Sequence, residues 1–296
     1  MAKSQTDSRP ARRRRKPWIV VTALVGLVLL VKYAGQAFWH IRWEVAHRLA
    51  AELPGQVTSR DIEASEPSGV AYHPQRNSIL VASDAGFLVE FDLDFRKLRS
   101  WRVKGDLEGI ALHPDGSIAY IADEDNGAII EFDLNSEIEI RRTPIDFDSD
   151  PDFAGQGSGN EGLEGLAFCP AHLDHGPPVL VGIIERDPPR WIELAFDQNA
   201  DRWRIVRSLD VKMTRLNGIE FDDVSNRWIV VSSKERTARC VDLTGHVSDA
   251  VRLPGRLPEG ICILPDGRSI LVHDSGGVTV VPDLSRWIRS PDRFHL

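Results

Sequence analysis

The 296 residues are 42% hydrophobic, enough for a packed core, and composition alone allows one large domain or two smaller ones. A net charge of -8 conceals a basic block, Arg12 to Lys16, and because that block abuts an apolar run rather than lying on a basic domain, nucleic-acid binding is not expected. Cys169, Cys240 and Cys262 are an odd set without paired spacing, which argues against a disulfide framework and for core positions.

Residues 1–17 read as a cytoplasmic basic N-terminus and residues 18–39 as a transmembrane signal anchor. Trp18 to Val31 is almost wholly apolar, and with Lys32 snorkelling the segment reaches Trp39, about the 20 residues a spanning helix needs. The preceding cations hold that end in the cytoplasm, which predicts a single-pass bacterial inner-membrane protein with its C-terminal domain in the periplasm. A cleaved signal peptide is the competing reading, because Gly35-Gln36-Ala37 offers small residues at cleavage spacing. Residues 40–54, with Ile41, Trp43, Val45, Leu49 and Leu53, have the pattern of an amphipathic stalk helix. Residues 55–296 then form one domain.

Within that domain one phrase occurs five times: Ser68-Gly69-Val70-Ala71, Glu108-Gly109-Ile110-Ala111, Glu164-Gly165-Leu166-Ala167, Asn217-Gly218-Ile219-Glu220 and Glu259-Gly260-Ile261-Cys262. The first positions 68, 108, 164, 217 and 259 are 40, 56, 53 and 42 residues apart, the period of a β-propeller with one blade per repeat. Each phrase is followed by a turn and a second apolar strand. His73-Pro74 to Asn77 leads to Ile79, His113-Pro114-Asp115-Gly116 to Ile118, Pro177-Pro178 to Val179, Asp222 to Asn226 to Trp228, and Leu264-Pro265-Asp266-Gly267 to Ile270. Third strands are expected at 87–93, 128–134, 191–197, 238–243 and 278–281, and polar outer strands at 98–103, 138–144, 203–209 and 247–253. The fifth repeat has no outer strand of its own, so Gln56 to Ile62 is expected to close the ring on it. The fold class is therefore all-β, a five-bladed propeller behind an N-terminal transmembrane helix, with a sixth degenerate blade around residues 142–160 as the alternative.

The first strands of a propeller line its channel, so Ser68, Glu108, Glu164, Asn217 and Glu259 are expected to form one ring. Three carboxylates, an amide oxygen and a hydroxyl suit a hard cation, calcium before magnesium, and the absence of His and Cys from the ring disfavours a soft metal. A ring that binds only water is the bland alternative. The ends of the second strands supply a rim: Asp84, Asp123 with Glu124 and Asp125, Glu185 with Arg186, Lys234 with Glu235, and Asp274. These are ligand-facing groups or simple surface ion pairs. Glu161 could add an oxygen near Glu164, or be a loop residue. Asp146, Asp148, Asp150 and Asp152 alternate as in a calcium loop, but Pro151 and Gly157 stand where an EF-hand needs Gly and Glu. No G-x-S-x-G or H-E-x-x-H motif is present, and no catalytic residue is assigned.

Leu107-Glu108-Gly109-Ile110, Asp123-Glu124, Glu161 to Ala167, Asn217-Gly218 and Glu259-Gly260-Ile261, together with the anchor, resemble the SdiA-regulated family, the group that includes the YjiK and CarP proteins. The resemblance covers roughly residues 60 to 282 and implies a membrane-anchored periplasmic propeller linked to calcium homeostasis and signalling, with no assigned reaction. It is also distantly similar to calcium-dependent propeller phytases and gluconolactonase-like propellers, but lacks an evident base and a phosphate-binding Lys and Arg cluster. The expected function is a non-enzymatic calcium-binding sensor or interaction platform with an unidentified small ligand or protein partner. The alternatives are a metal-dependent hydrolase using Glu185 or Asp123 as base, and a scaffold with an empty channel.

Overall fold

Each repeat folds as an antiparallel meander because short apolar runs alternate with turns that reverse the chain. The computed structural model describes residues 51–52, 57–153, 162–169, 179–185, 188–248, 250–254, 257–282 and 284. The chain divides into units 1–45 and 46–296, and every described residue belongs to the second. The predicted basic terminus, the span 18–39, most of the predicted stalk, Glu161 and Arg186 lie outside the described residues. Among the described residues no helix is long and apolar enough to cross a membrane.

Two strands, β1 (Ala51–Glu52) and β2 (Thr58–Asp61), precede the first repeat. The first sheet is β3 (Pro67–His73), β4 (Ser78–Ser83), β5 (Phe87–Asp92) and β6 (Lys97–Arg102), hydrogen-bonded in chain order. The second repeat supplies β7 (Leu107–Leu112), β8 (Ile118–Asp123), β9 (Ala128–Asp133) and β10 (Ile138–Asp146). The third supplies β11 (Leu163–Cys169), β12 (Val179–Ile184), β13 (Arg190–Asp197) and β14 (Arg202–Leu209). These two meanders are joined edge to edge, since β10 runs past β9 and pairs Ile145 and Asp146 in parallel with Trp203 and Arg204. The fourth repeat forms β15 (Leu216–Asp222), β16 (Arg227–Ser232), β17 (Thr237–Asp242) and β18 (Val251–Arg252), with β1 parallel to β18. Residues 51 and 52 are thus strand, where the stalk helix was expected to continue. The fifth repeat forms β19 (Pro258–Ile263), β20 (Ser269–His273) and β21 (Gly277–Val281), and β2 completes its sheet by pairing antiparallel with β21 from Thr58↔Val280 to Asp61↔Gly277.

The turns carry the expected chemistry: Gly116 and Gly267 adopt φ of 69° and 87°, and Asn77 and Asn226 adopt 50° and 54°. Second strands such as Ile79-Leu80-Val81-Ala82 are buried on both faces, which is why they read as unbroken apolar runs. One face of each sheet meets the next. Leu80 and Leu88 pack with Ile110 and Ile121, Ile129 with Leu166 and Leu180, Val181 and Trp191 with Ile219 and Trp228, and Ile229 with Ile261 and Leu271. The series closes where Val272 and Val278 meet Val70 and Ile79 of the first sheet. The innermost strands follow the same cycle, β3 on β7, β7 on β11, β11 on β15, β15 on β19 and β19 back on β3. This is an all-β propeller. The described part of the 142–160 segment supplies the end of β10 and a single 3-10 turn, Phe147–Ser149, and no strand besides β10.

Candidate metal centre

The five phrases meet at the axis, and the glycine in each allows it. A Cβ on Gly69 would lie 2.3 Å from the carbonyl oxygen of Glu108, one on Gly109 2.3 Å from the backbone nitrogen of Leu166, and one on Gly165 2.7 Å from the carbonyl oxygen of Asn217. Gly218 approaches Glu259 and Gly260 approaches Ser68 in the same way, so backbone packs on backbone around the whole ring. Only about 10 Å³ of free space remains there, roughly one water. The axis is therefore closed at the glycines.

Above that waist every inner strand carries a β-bulge, and it falls on the first position of the phrase. Register shifts between Pro67 and Gly69, Leu107 and Ile110, Leu163 and Gly165, Leu216 and Gly218, and Pro258 and Gly260. A bulge leaves its extra residue outside the ladder and re-aims its side chain. Ser68, Glu108, Glu164, Asn217 and Glu259 are the residues so released.

Around them the acidic groups crowd. Asp84 follows β4, Asp106 precedes β7 and Glu108 occupies the β7 bulge, and their carboxylate oxygens lie within 4.8 Å of one another. Two calcium–oxygen bonds of about 2.4 Å span that separation, whereas magnesium with bonds of about 2.1 Å would need a tighter set. Asp106 Oδ1 is buried and lacks a hydrogen-bond partner among the described residues. Ser68 Oγ donates to Asp84 Oδ1. Burial raises the Asp84 carboxyl above its usual range, and the charges of Glu66 and Asp274 add to this. Burial, then Asp84 and Glu124, push Asp106 up to about 6. Glu108 is raised as well, first by burial, then by Glu164, Asp84 and Asp106. Burial, then Asp274 and Glu185, push Glu259 up to about 8, against the charge of Arg215. Such a set is held together at a cost in repulsion that a divalent cation removes, and its oxygen donors fit calcium.

The remaining predicted residues divide. Glu164 acts on Glu108 through its charge, but neither it nor Glu259 belongs to the tight group. The convergence is closest between the first two repeats rather than across the axis. Asn217 Oδ1 accepts from the backbone nitrogen of Ser233 at 3.1 Å. On the rim, Asp123 accepts from Arg142 and, at 2.8 Å, from Asn126 Nδ2. Glu124 Oε1 accepts from the Gly162 nitrogen at 3.2 Å, and Glu235 Oε1 accepts from the nitrogen and the hydroxyl of Thr214, each at 2.9 Å. Glu185 lies 3.6 Å from Arg215 Nε, and Asp274 is exposed and acts through its charge on Asp84 and Glu259. Sequence reasoning missed Asp106 and Arg215, which share the position two residues before the phrase. The signal was that shared offset.

Among solved structures the chain is similar to a nidogen/laminin complex, with 15% identity over 71% of this chain and 73% of that one and a TM-score of 0.49. Hydrazine synthase of Kuenenia stuttgartiensis matches with 10% identity over 76% and 97% and a TM-score of 0.47. The Cps50 (Swd1) β-propeller domain of Myceliophteria thermophila matches with 11% identity over 74% and 67% and a TM-score of 0.43. No curated protein sequence matches the chain. Residues 46–261 match the SdiA-regulated family across the first four phrases and up to Ile261 of the fifth, and the chain belongs to that family.

Proposed function

We propose that the protein is a five-bladed, membrane-anchored propeller that binds calcium at the bulged mouth and serves as a periplasmic sensor or interaction platform. Residues 18–39 would be the anchor, with the basic block on the cytoplasmic side and the propeller in the periplasm. The observation that carries the calcium reading is the set of three carboxylates within 4.8 Å, two of them released or flanked by a bulge and all three raised in pKa by burial and mutual charge. Glu164 and Glu259 supply further negative potential, while Ser68 and Asn217 are neutral neighbours.

Binding to the folded state alone raises stability by mass action, about 2.7 kcal/mol at a hundredfold excess over Kd. Calcium added to the full chain in detergent is expected to raise the melting temperature, and Glu108→Gln to reduce that rise strongly, Glu164→Gln less. The absence of any calcium-dependent shift at millimolar concentration would end this reading.

A further inference from the structure

The opposite ends of the inner strands enclose a second, separate space. A cavity of about 470 Å³ opens there, within the range of small-molecule sites, and the glycine waist divides it from the acidic mouth. Tyr72, His113, Phe168 and Phe221 offer aromatic walls, with Pro114 and Pro265 between them. Its ionisable groups besides His113 and Tyr72 are Glu220, Asp222 and Asp223, and no lysine or arginine is among the described residues that line it.

Glu220 breaks the repeat. The fourth position of the phrase is Ala71, Ala111, Ala167 and Cys262 in the other copies, small and buried where blade meets blade. A carboxyl group there is not needed for packing. Among the described residues it accepts one hydrogen bond, from the backbone nitrogen of Phe221 to Oε1 at 3.2 Å, and no cation pairs with it. Burial pushes its pKa up to about 8, with Asp223 and Asp222 adding to the effect. Cys262 of β19 is the titratable group that interacts with it from the adjacent blade, and its thiol is pushed up first by burial and then by the charge of Glu220. Holding a carboxyl in such a place without a partner is costly, and a ligand that brings the partner removes the cost.

We propose that this cavity binds a small organic cation, an amine with an apolar body, whose ammonium group pairs with Glu220 while its body lies against Tyr72, Phe168 and Phe221. Aromatic faces attract ammonium groups as well as apolar carbon. An anion would meet three acidic side chains and no compensating cation. A bare metal ion finds too few ligands, because Asp222 is engaged by Ser225 Oγ at 2.5 Å and by the Val224 nitrogen at 3.2 Å, and the oxygen of the aromatic walls, the Tyr72 hydroxyl, donates to Asn77 Oδ1 at 2.9 Å. The site is independent of the calcium reading.

Isothermal titration of the full chain with benzylamine and hexylamine, each against its neutral alcohol and against calcium chloride, tests it. Both or either amine should bind at least about tenfold more tightly than its alcohol, and that preference should strengthen as pH rises toward 8.5, since ionised Glu220 is the binding form. Glu220→Gln and Glu220→Ala, the latter restoring the residue of the first three repeats, should remove the preference without lowering the melting temperature. The proposal is overturned if neither amine binds at about 10 mM, if amine and alcohol bind alike, if calcium alone gives heat that Glu220→Gln abolishes, or if the variants keep the amine preference. The amine-to-alcohol ratio and its pH dependence need no variant, so they decide the matter even if a variant fails to fold.

Discussion

A bulge at the first position of each phrase and a glycine at the second do different work on adjacent residues: one turns an oxygen outward, the other lets two backbones touch. The second role predicts a sharp contrast. Gly109→Ala would drive a methyl group into the backbone of Leu166 and Gly165 and should lower stability by more than about 2 kcal/mol in denaturant unfolding. Gly277→Ala, where the nearest atom to a new Cβ is 3.4 Å away, should change stability by less than about 0.5 kcal/mol. Equal losses at both positions would show that the waist is not packed as described. The phrase itself was legible, because glycine next to an oxygen-bearing residue recurs with blade spacing. The bulges were not, since a register slip depends on the partner strand and leaves no residue signature in Glu108 or Asn217. Asp106 was hidden for a related reason: it lies outside β7 and is brought to Asp84 only when the first and second blades pack.

At the scale of strands, an acid, buried at Glu90 and Glu193 and half-buried at Glu131, recurs on the third strand of three repeats opposite an arginine on the fourth. Glu90 pairs in register with Arg99, Glu131 with Arg141 and Glu193 with Arg207. Each pair also meets as ions, Glu90 with Arg99 at 3.2 Å and Glu193 with Arg207 at 3.1 Å. Glu90 additionally accepts from Ser78 Oγ at 2.6 Å and from Arg76 Nη1 at 3.3 Å. Glu90→Ala leaves that hydroxyl buried without its acceptor and should cost about 1–3 kcal/mol, most of it retained at high salt because Glu90 is only 1% exposed. Full recovery of stability in salt would point to a surface ion pair instead. The fourth repeat has Cys240 at this position, with Arg239 beside it, and its outer strand, expected over 247–253, contracts to Val251–Arg252 with one further bridge between Val241 and Val247. Ser248 sits at the break: its nitrogen still donates to the Cys240 carbonyl at 2.9 Å, but its hydroxyl accepts from the Cys240 nitrogen at 2.8 Å and its carbonyl from Arg239 Nη1 at 2.9 Å, so side-chain bonds stand where the return ladder bond would be. Strand positions follow apolar alternation and were readable; this substitution of one bonding pattern for another depends on geometry and was not.

For the whole molecule, the raised carboxyl groups make stability depend on pH and on cations together. Glu259, unfolded near 4.5 and folded near 8, binds its proton more tightly in the native state, so its contribution is fully present below about pH 4.5 and is lost as pH rises toward 8. Asp106 acts in the same sense between about 3.8 and 6. In chelator the melting temperature should therefore fall across pH 5 to 8, and calcium should raise it most at the upper end of that interval. A calcium effect that is flat with pH would separate cation binding from these groups. Ring closure was legible too, because Gln56 to Ile62 had no other partner and the fifth repeat lacked an edge. That closure has a mechanical consequence. Thr58 to Asp61 is exposed along its whole length and joins the ring through four residue pairs with β21, and ahead of it Ala51 and Glu52 pair with Val251 and Arg252, so tension on the preceding chain is met first by the two pairs on β18 and then by the four on β21 before it reaches an inner strand. A pull from the N-terminal side would thus load the outer edge of the fourth repeat first and that of the fifth next, so the ring would respond to force along its rim before its axis is disturbed.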